Sequence, residues 1–125
     1  MSIDYNPVGW FEIPVIDMPR AKAFYEHLFA VKLEEHEIGS ALMAWFPMKE
    51  NAIGSTGSLI KGEGYEPSSI GVLVYFTAPD IEGVLERTRE KGGQVLREKS
   101  GIGEYGFIAI ILDSEGNRIG LHARE

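Results

Sequence analysis

The sequence predicts an α+β fold in which two βαβββ modules form a curved, mostly antiparallel sheet with the helices on its outer face. Three observations predict it. Two amphipathic helix patterns begin at Asp17 and Asp80, about half the chain apart. A strand pattern precedes each helix. Three strand patterns separated by turn residues follow each helix, which favours an antiparallel sheet over a doubly wound parallel one.

The first helix is predicted from Asp17 to Phe29. The Asp17 side chain can accept hydrogen bonds from the first free amides, and Pro19 occupies the first turn, where its missing N–H does no harm. Apolar residues then recur at the spacing of an amphipathic helix: Ala21, Phe24, Tyr25 and Leu28.

The second helix begins at Asp80 and repeats this pattern with Ile81, Val84, Leu85 and Thr88. Its end is marked by Lys91, Gly92 and Gly93, a cation followed by glycines that can adopt a left-handed stop. The two helix patterns are therefore alike, and they indicate an internal duplication.

Strand patterns surround both helices. They cover residues 8–15, 32–37, 41–47 and 57–61 in the first half, and residues 70–77, 94–98, 107–113 and 119–122 in the second. A chain of 125 residues suits one domain with a shared core better than two independent ones. We therefore expect a single domain over 1–125, with module one at about 6–61, module two at about 70–123 and a short hinge between them.

Composition and charge argue against several function classes. The net charge is −7, from 12 Lys and Arg against 19 Asp and Glu. The densest basic stretch, residues 87–99, is interleaved with glutamates like a solvated helix face, so neither nucleic acid nor an anionic membrane is an expected partner. Without cysteine, disulfides and thiolate chemistry are excluded. No signal-peptide pattern opens the chain and no apolar run reaches about 18 residues, so the expected location is the cytoplasm.

Side-chain alternation along the strands predicts which residues face a cavity. The side packed on the helices takes Phe11, Ile13 and Val15, then Val72, Val74 and Phe76, and finally Ile119 and Leu121. The opposite face, free to curve around a ligand, takes Trp10, Glu12, Leu73, Tyr75 and His122, with Trp45 or Phe46 from a middle strand.

Two of these residues could carry chemistry. Glu12 lies inside an apolar run, where an ionised carboxylate is costly unless it is paired. It is either an edge position open to water or a member of a salt bridge, or else a general base or ligand-binding carboxylate. His122 is either solvated near the chain end or functional. If their strands approach each other, Glu12 and His122 would form a carboxylate–imidazole pair suited to proton transfer.

Three other segments are weaker candidates. Residues 101–106 are predicted to form a turn and a rim over the cavity, with Glu104 and Tyr105 near the entrance. His27 is expected at the surface of the first helix. The charged run 34–37 is expected to be an exposed edge strand rather than a metal cluster, because alternation splits it between two faces.

Several motifs together make the chain similar to the vicinal oxygen chelate superfamily. This group includes glyoxalase I, bleomycin-resistance proteins, fosfomycin-resistance enzymes and extradiol dioxygenases. The resemblance is closest to a branch of lactoylglutathione-lyase-related proteins whose reaction is largely unassigned. The resemblance rests on residues 10–15, 17–18, 23–25, 80–81, 92–93, 103–107 and 113–122.

The resemblance implies a place for four metal ligands, one each on the first, fourth, fifth and eighth strands. In this sequence those places hold Trp10, Leu59 or Ile60, Leu73 and Gly120. None of these side chains can ligate a divalent ion, so no cofactor is predicted. Glu12 and His122 lie two residues further along their strands and offer at most a shifted, two-ligand site.

The leading interpretation is a metal-independent cavity protein for a small organic ligand, with Glu12 and His122 as acid and base of a lyase or isomerase. The first alternative is sequestration of a drug-like or aromatic molecule by Trp10, Trp45, Tyr75 and Tyr105. Further alternatives are a metal-dependent enzyme with a shifted site and an accessory domain without a ligand. The resemblance also implies a homodimer.

Overall fold

Two helices and eight strands follow one another in the predicted order within residues 6–125, the part of the chain that the structure, a computed structural model, describes. Module one contains β1 (Phe11–Pro14), α1 (Met18–Phe29), β2 (Glu34–Ile38), β3 (Ala41–Trp45) and β4 (Gly57–Lys61). Module two contains β5 (Val74–Thr77), α2 (Ile81–Glu90), β6 (Gln94–Gly101), β7 (Phe107–Leu112) and β8 (Arg118–Ala123). No helix among these residues is long and apolar enough to cross a membrane.

The strands form two four-stranded sheets with the same topology, β1-β4-β3-β2 and β5-β8-β7-β6. In each sheet the first and last strands of the module pair in parallel, and the other neighbours are antiparallel. The predicted α+β fold with mostly antiparallel pairing is therefore confirmed, and the repeated topology agrees with a duplication.

Both helices begin as the sequence predicts. The Asp17 side chain accepts a hydrogen bond from the Arg20 amide at 3.0 Å, and Asp80 accepts one from the Gly83 amide at 3.1 Å. These bonds satisfy amides that have no partner inside the helix.

An aromatic cluster connects the two modules. The ring of Tyr25 on α1 lies 5.6 Å from the ring of Phe46 in module one and 5.9 Å from that of Phe76 on β5. Phe11 of β1 meets Phe76 edge-on at 5.5 Å. The buried residues of both modules therefore form one hydrophobic core, and β1 comes close to β5.

The turn between β7 and β8, the Asp113–Asn117 loop, supplies the polar connection. Tyr25 donates its hydroxyl to Asp113 Oδ2 at 2.6 Å in the buried core, and burial raises the pKa of that hydroxyl well above its usual value. Asp113 Oδ1 accepts the amides of Glu115 and Asn117. Asn117 Nδ2 then donates to the carbonyl of Pro14 in β1 at 2.8 Å.

Glu115 connects the same loop to the start of α1. Its carboxylate accepts the amides of Ile16 and Asp17 and the guanidinium of Arg20, at 2.6–3.0 Å. Burial by itself would raise the pKa of Glu115, but these hydrogen bonds and the Arg20 charge outweigh it and lower the pKa to about 2.

Val72 departs from the sequence prediction. It was expected to face the helices, but it is 93% exposed and β5 begins only at Val74. Val74 pairs with Ile119, so a longer β5 would run alongside Asn117. Because the Asn117 amide already bonds Asp113 inside the loop, the ladder ends there.

We expect Glu115→Gln to lower the free energy of unfolding at pH 7 by about 1–2 kcal/mol, because a charge-assisted acceptor becomes neutral. The folded pKa of about 2 lies below the ordinary value of 4.5, so this stabilisation is complete above pH 4.5 and is lost as the pH falls towards 2. Urea unfolding at pH 7, 4 and 3 should therefore show the difference from wild type shrinking. Exposed Glu63→Gln is the matched control, and a difference that does not change with pH would contradict the assignment.

Candidate functional site

A cavity of about 1090 Å³, here called the inter-module cavity, opens between the two modules. β1, β5, the end of α1, the first turns of α2 and the segment after β3 contribute to its wall. Its lining is mostly apolar and includes the aromatic side chains of Trp10, Phe11, Phe29, Phe46, Tyr75 and Phe76. A concave, mainly apolar wall with few polar groups is typical of small-molecule sites.

Glu12 carries the negative charge of the β1 wall. Phe11 packs against the core and Ile13 is buried in it, so alternation turns Glu12 to the other face of β1. Phe11 and Glu12 both line the cavity, which therefore borders the free edge of this strand. Within residues 6–125 the carboxylate has no hydrogen bond and no cation within 4.0 Å. Glu12 is therefore an edge position open to water, as one interpretation expected, because β1 is the edge strand of its sheet and the residue is exposed. It forms no salt bridge with any described residue, so the carboxylate is available to a ligand.

The strand register places a polar row beside Glu12. Glu12 pairs with Ser58 on β4, and Ser58 pairs with Trp45 on β3, so the three side chains share one sheet face. Ser58 Oγ and Trp45 Nε1 are buried, without a hydrogen-bond partner in the described part of the chain. The Trp45 ring meets Trp10 edge-on at 5.7 Å and lies 3.8 Å from the His36 ring.

Sequence reasoning missed Ser58 and His36. Ser58 lies in a short apolar strand with no motif of its own, and only the parallel pairing of β1 with β4 sets it opposite Glu12. His36 lies on the edge strand β2, as expected, but it is only partly exposed because its ring lies against Trp45. Alternation along β2 and β3, taken together, would have placed His36 and Trp45 on the same face of the sheet.

His122 lies in different surroundings from Glu12. It is on β8, beside Thr77 of β5, and its Nε2 donates to the Tyr105 carbonyl at 2.8 Å. Glu12 borders the inter-module cavity and a smaller cavity of about 210 Å³, whereas His122 borders neither of these two. The structure thus does not bring the two side chains to one cavity wall.

Of the other predicted site residues, some line the inter-module cavity and others do not. Trp10, Leu73 and Tyr75 line the inter-module cavity together with Glu12. Trp45 lies one row away, next to Trp10. Glu104 and Tyr105 form an exposed single helical turn between β6 and β7 that borders neither cavity, and Tyr105 contributes its backbone carbonyl to His122.

Residues 8–121 match the family model of the Glyoxalase/Bleomycin resistance protein/Dioxygenase superfamily. The chain belongs to this superfamily. Among curated proteins it is 25% identical over 117 residues to the "Putative glyoxylase CFP32" of Mycobacterium bovis and of Mycobacterium tuberculosis. That match covers 90% of this chain but 44% of each relative, so the chain spans less than half the length of those proteins.

Solved structures of the superfamily share the fold. A glyoxylase/bleomycin resistance protein/dioxygenase domain from Frankia sp. EAN1pec aligns over 98% of this chain and 100% of its own, with a TM-score of 0.75 and 14% identity. Glyoxalase I from Zea mays aligns over 94% of this chain and 46% of its own, with a TM-score of 0.66 and 20% identity. The homodimer implied by the superfamily stays a prediction.

The superfamily's metal positions do not fit a metal in this chain. Trp10, Leu73 and Gly120 offer no donor side chain. On β4 the residue equivalent to Gly120 is Ser58, because Ser58 pairs with Glu12 as Gly120 pairs with Tyr75. The expected position at Leu59 or Ile60 is therefore corrected to Ser58. Residues 6–125 contain no group of three or more His, Asp or Glu side chains placed to hold a metal ion. Glu12 and His122 would supply only two donors, from different surroundings.

Tyr75 occupies the place opposite Glu12 in the duplicated scaffold. It pairs with Gly120 as Glu12 pairs with Ser58. A Cβ added to Gly120 would lie 2.5 Å from the Tyr75 ring, which is closer than real contacts allow. Gly120 is therefore needed because the Tyr75 ring lies directly over it.

We expect Gly120→Ala to displace the Tyr75 ring and to lower the free energy of unfolding by about 1–3 kcal/mol, as overpacking does. Urea unfolding and near-ultraviolet circular dichroism would measure both effects. Gly101→Ala is the matched control in the same sheet, since its Cβ would make an ordinary 3.7 Å contact. In a Tyr75→Ala background, Gly120→Ala should lower the free energy of unfolding by less than in wild type. An equal loss of stability in both backgrounds would show that the Tyr75 ring does not cause it.

Proposed function

We propose that this chain binds a small, mostly apolar organic molecule in the inter-module cavity and that Glu12 recognises a cationic or hydrogen-bond-donating group on it. One observation carries the proposal: the Glu12 carboxylate lines an aromatic cavity and has no partner among the described residues. A charge beside an apolar wall gains most from a partner that brings its own apolar surface.

The aromatic wall supports the same kind of ligand. Trp10 stands two residues before Glu12 and lines the same cavity. An indole ring attracts cations through its face and packs well against flat apolar molecules. A ligand with an aromatic body and a protonated amine would therefore use both side chains.

Binding without turnover agrees with the bleomycin resistance proteins of the superfamily, and catalysis agrees with its glyoxalases. Three of the four metal positions of this chain lack a donor side chain and the fourth holds Ser58, which supports the binding function over metal-assisted chemistry. The proposal therefore takes reversible ligand binding as the primary function.

Isothermal titration calorimetry with 1-naphthylmethylamine and 1-naphthylmethanol tests the proposal. We expect both to bind, and the protonated amine to bind about fivefold more tightly, because only it brings a positive charge to the carboxylate. Glu12→Gln should remove this preference and leave alcohol binding unchanged. Exposed Glu63→Gln makes the same charge change away from the cavity and should keep the preference. Absence of binding by either compound would refute the cavity function, and a preference unchanged in Glu12→Gln would refute the role of Glu12.

The second candidate function is proton transfer in which Glu12 and His122, although they share no cavity wall, both act on one bound molecule. The hydrogen bond from His122 Nε2 to a carbonyl favours it, because a carbonyl only accepts and the neutral ring must then carry its free lone pair on Nδ1. Thr77, the register partner of His122, lines the cavity, so a bound molecule could approach the imidazole from β5.

Deuterium exchange distinguishes this candidate from binding alone. If the pair transfers protons, the protein should accelerate exchange of the methyl protons of 2-acetonaphthone in deuterated water, followed by proton NMR. Glu12→Gln should abolish the acceleration, and His122→Asn should reduce it at least tenfold. Exchange at the rate of buffer, with calorimetric binding intact, would leave binding as the function and exclude this reaction for that ketone.

A further inference from the structure

The inter-module cavity holds a second charged side chain that the sequence analysis assigned to a solvated helix face. Arg87 lies in the middle of α2, is only partly exposed, and lines the cavity together with Phe29 of α1 and Val84 of its own helix. Arg87 is less exposed than a fully solvated position because its side chain reaches the end of α1.

A single hydrogen bond orients the guanidinium. Arg87 Nε donates to the Leu28 carbonyl near the end of α1 at 3.0 Å. Its two terminal nitrogens make no hydrogen bond, and no carboxylate lies within 4.0 Å of them, within the described residues 6–125. Arg89 on the same helix behaves differently, because it forms an ion pair with Glu98.

An arginine held in this way is suited to bind an anion. The planar guanidinium presents parallel N–H donors that match carboxylate, sulfonate and phosphate oxygens, and it is more weakly hydrated than an ammonium group. Asp80 also lines the cavity, but its Oδ1 already accepts the Gly83 amide at the start of α2. Its other oxygen, Oδ2, lies beside Gly83 together with Arg87 Nη1, so Asp80 places a negative charge near the guanidinium without forming an ion pair with it. The terminal nitrogens therefore remain donors for an anionic group.

We infer that Arg87 is an anion-binding residue of the inter-module cavity, so that the ligand carries an anionic oxygen group on its apolar body. This inference rests on the proposed function, because it takes the cavity as the ligand site. Glu12 and Arg87 come from different modules and neither is paired within the described chain. A ligand that uses both has an anionic group, an aromatic or aliphatic body, and an amine or other donor.

Two fluorescent probes of nearly identical shape test the inference. N-phenyl-1-naphthylamine is neutral, and 8-anilinonaphthalene-1-sulfonate adds one sulfonate to the same skeleton. We expect both to bind the native protein. Arg87→Gln should weaken sulfonate binding about tenfold, the size of one charge-assisted contact, and change binding of the neutral probe less than twofold. Arg89→Gln removes the same charge from the same helix outside the cavity and should affect neither probe.

Two further measurements keep the test decisive if Arg87→Gln is poorly folded. Arg87→Lys keeps the charge but loses the planar donors and the bond to Leu28, so sulfonate affinity should lie between those of wild type and Arg87→Gln. Raising sodium chloride from 0.05 to 0.5 M should weaken binding of the sulfonate by wild-type protein, but not binding of the neutral probe. If the neutral probe binds but Arg87→Gln and Arg89→Gln bind the sulfonate equally, the inference is wrong and the cavity function stands. If the neutral probe does not bind, the cavity function itself fails.

Discussion

The hydrogen bond from Tyr25 to Asp113 joins the two modules inside their common core. A buried carboxylate is tolerated there because the tyrosine hydroxyl, two backbone amides and the Asn117 amide group all donate to it. In turn Asp113 shapes the loop whose Asn117 and Glu115 side chains hold the end of β1 and the start of α1. The placement of β1 next to module two therefore depends on this bond, and with it the wall of the cavity. The same arrangement links stability to pH, because the Glu115 carboxylate is stabilising only while it is ionised.

The duplicated scaffold keeps its geometry in both halves and changes its chemistry. Glu12 and Tyr75 are equivalent positions on β1 and β5, as are Ser58 and Gly120 on β4 and β8. Module one presents a charge beside a buried hydroxyl, whereas module two presents a phenol ring lying over a glycine. Arg87 then adds an opposite charge from α2. The cavity between such halves is polar at separated points and apolar elsewhere, which suits ligands that carry different groups at their two ends.

Much of the fold could be predicted because its signals are local. Each capping aspartate, apolar stripe and turn lies within a few residues of the structure that it specifies, so both helices and all eight strands follow from the sequence. Alternation along β1 and β5 also turns Glu12 and Tyr75 away from the core, and both line the inter-module cavity. The surroundings of Arg87 and Ser58 could not be predicted from the sequence, because they depend on helix packing and on strand register.

The sequence by itself determined the duplicated order of elements, the start of each helix, the inward and outward faces of most strands and the absence of thiol chemistry. These properties depend on residue type and on short-range spacing. Tertiary structure decided which cavity-facing residues share a wall. It separated His122 from Glu12, set Ser58 beside Glu12 and turned Arg87 towards the cavity. The physical reason is that such neighbourhoods arise from contacts between residues far apart in the chain, which no local pattern encodes.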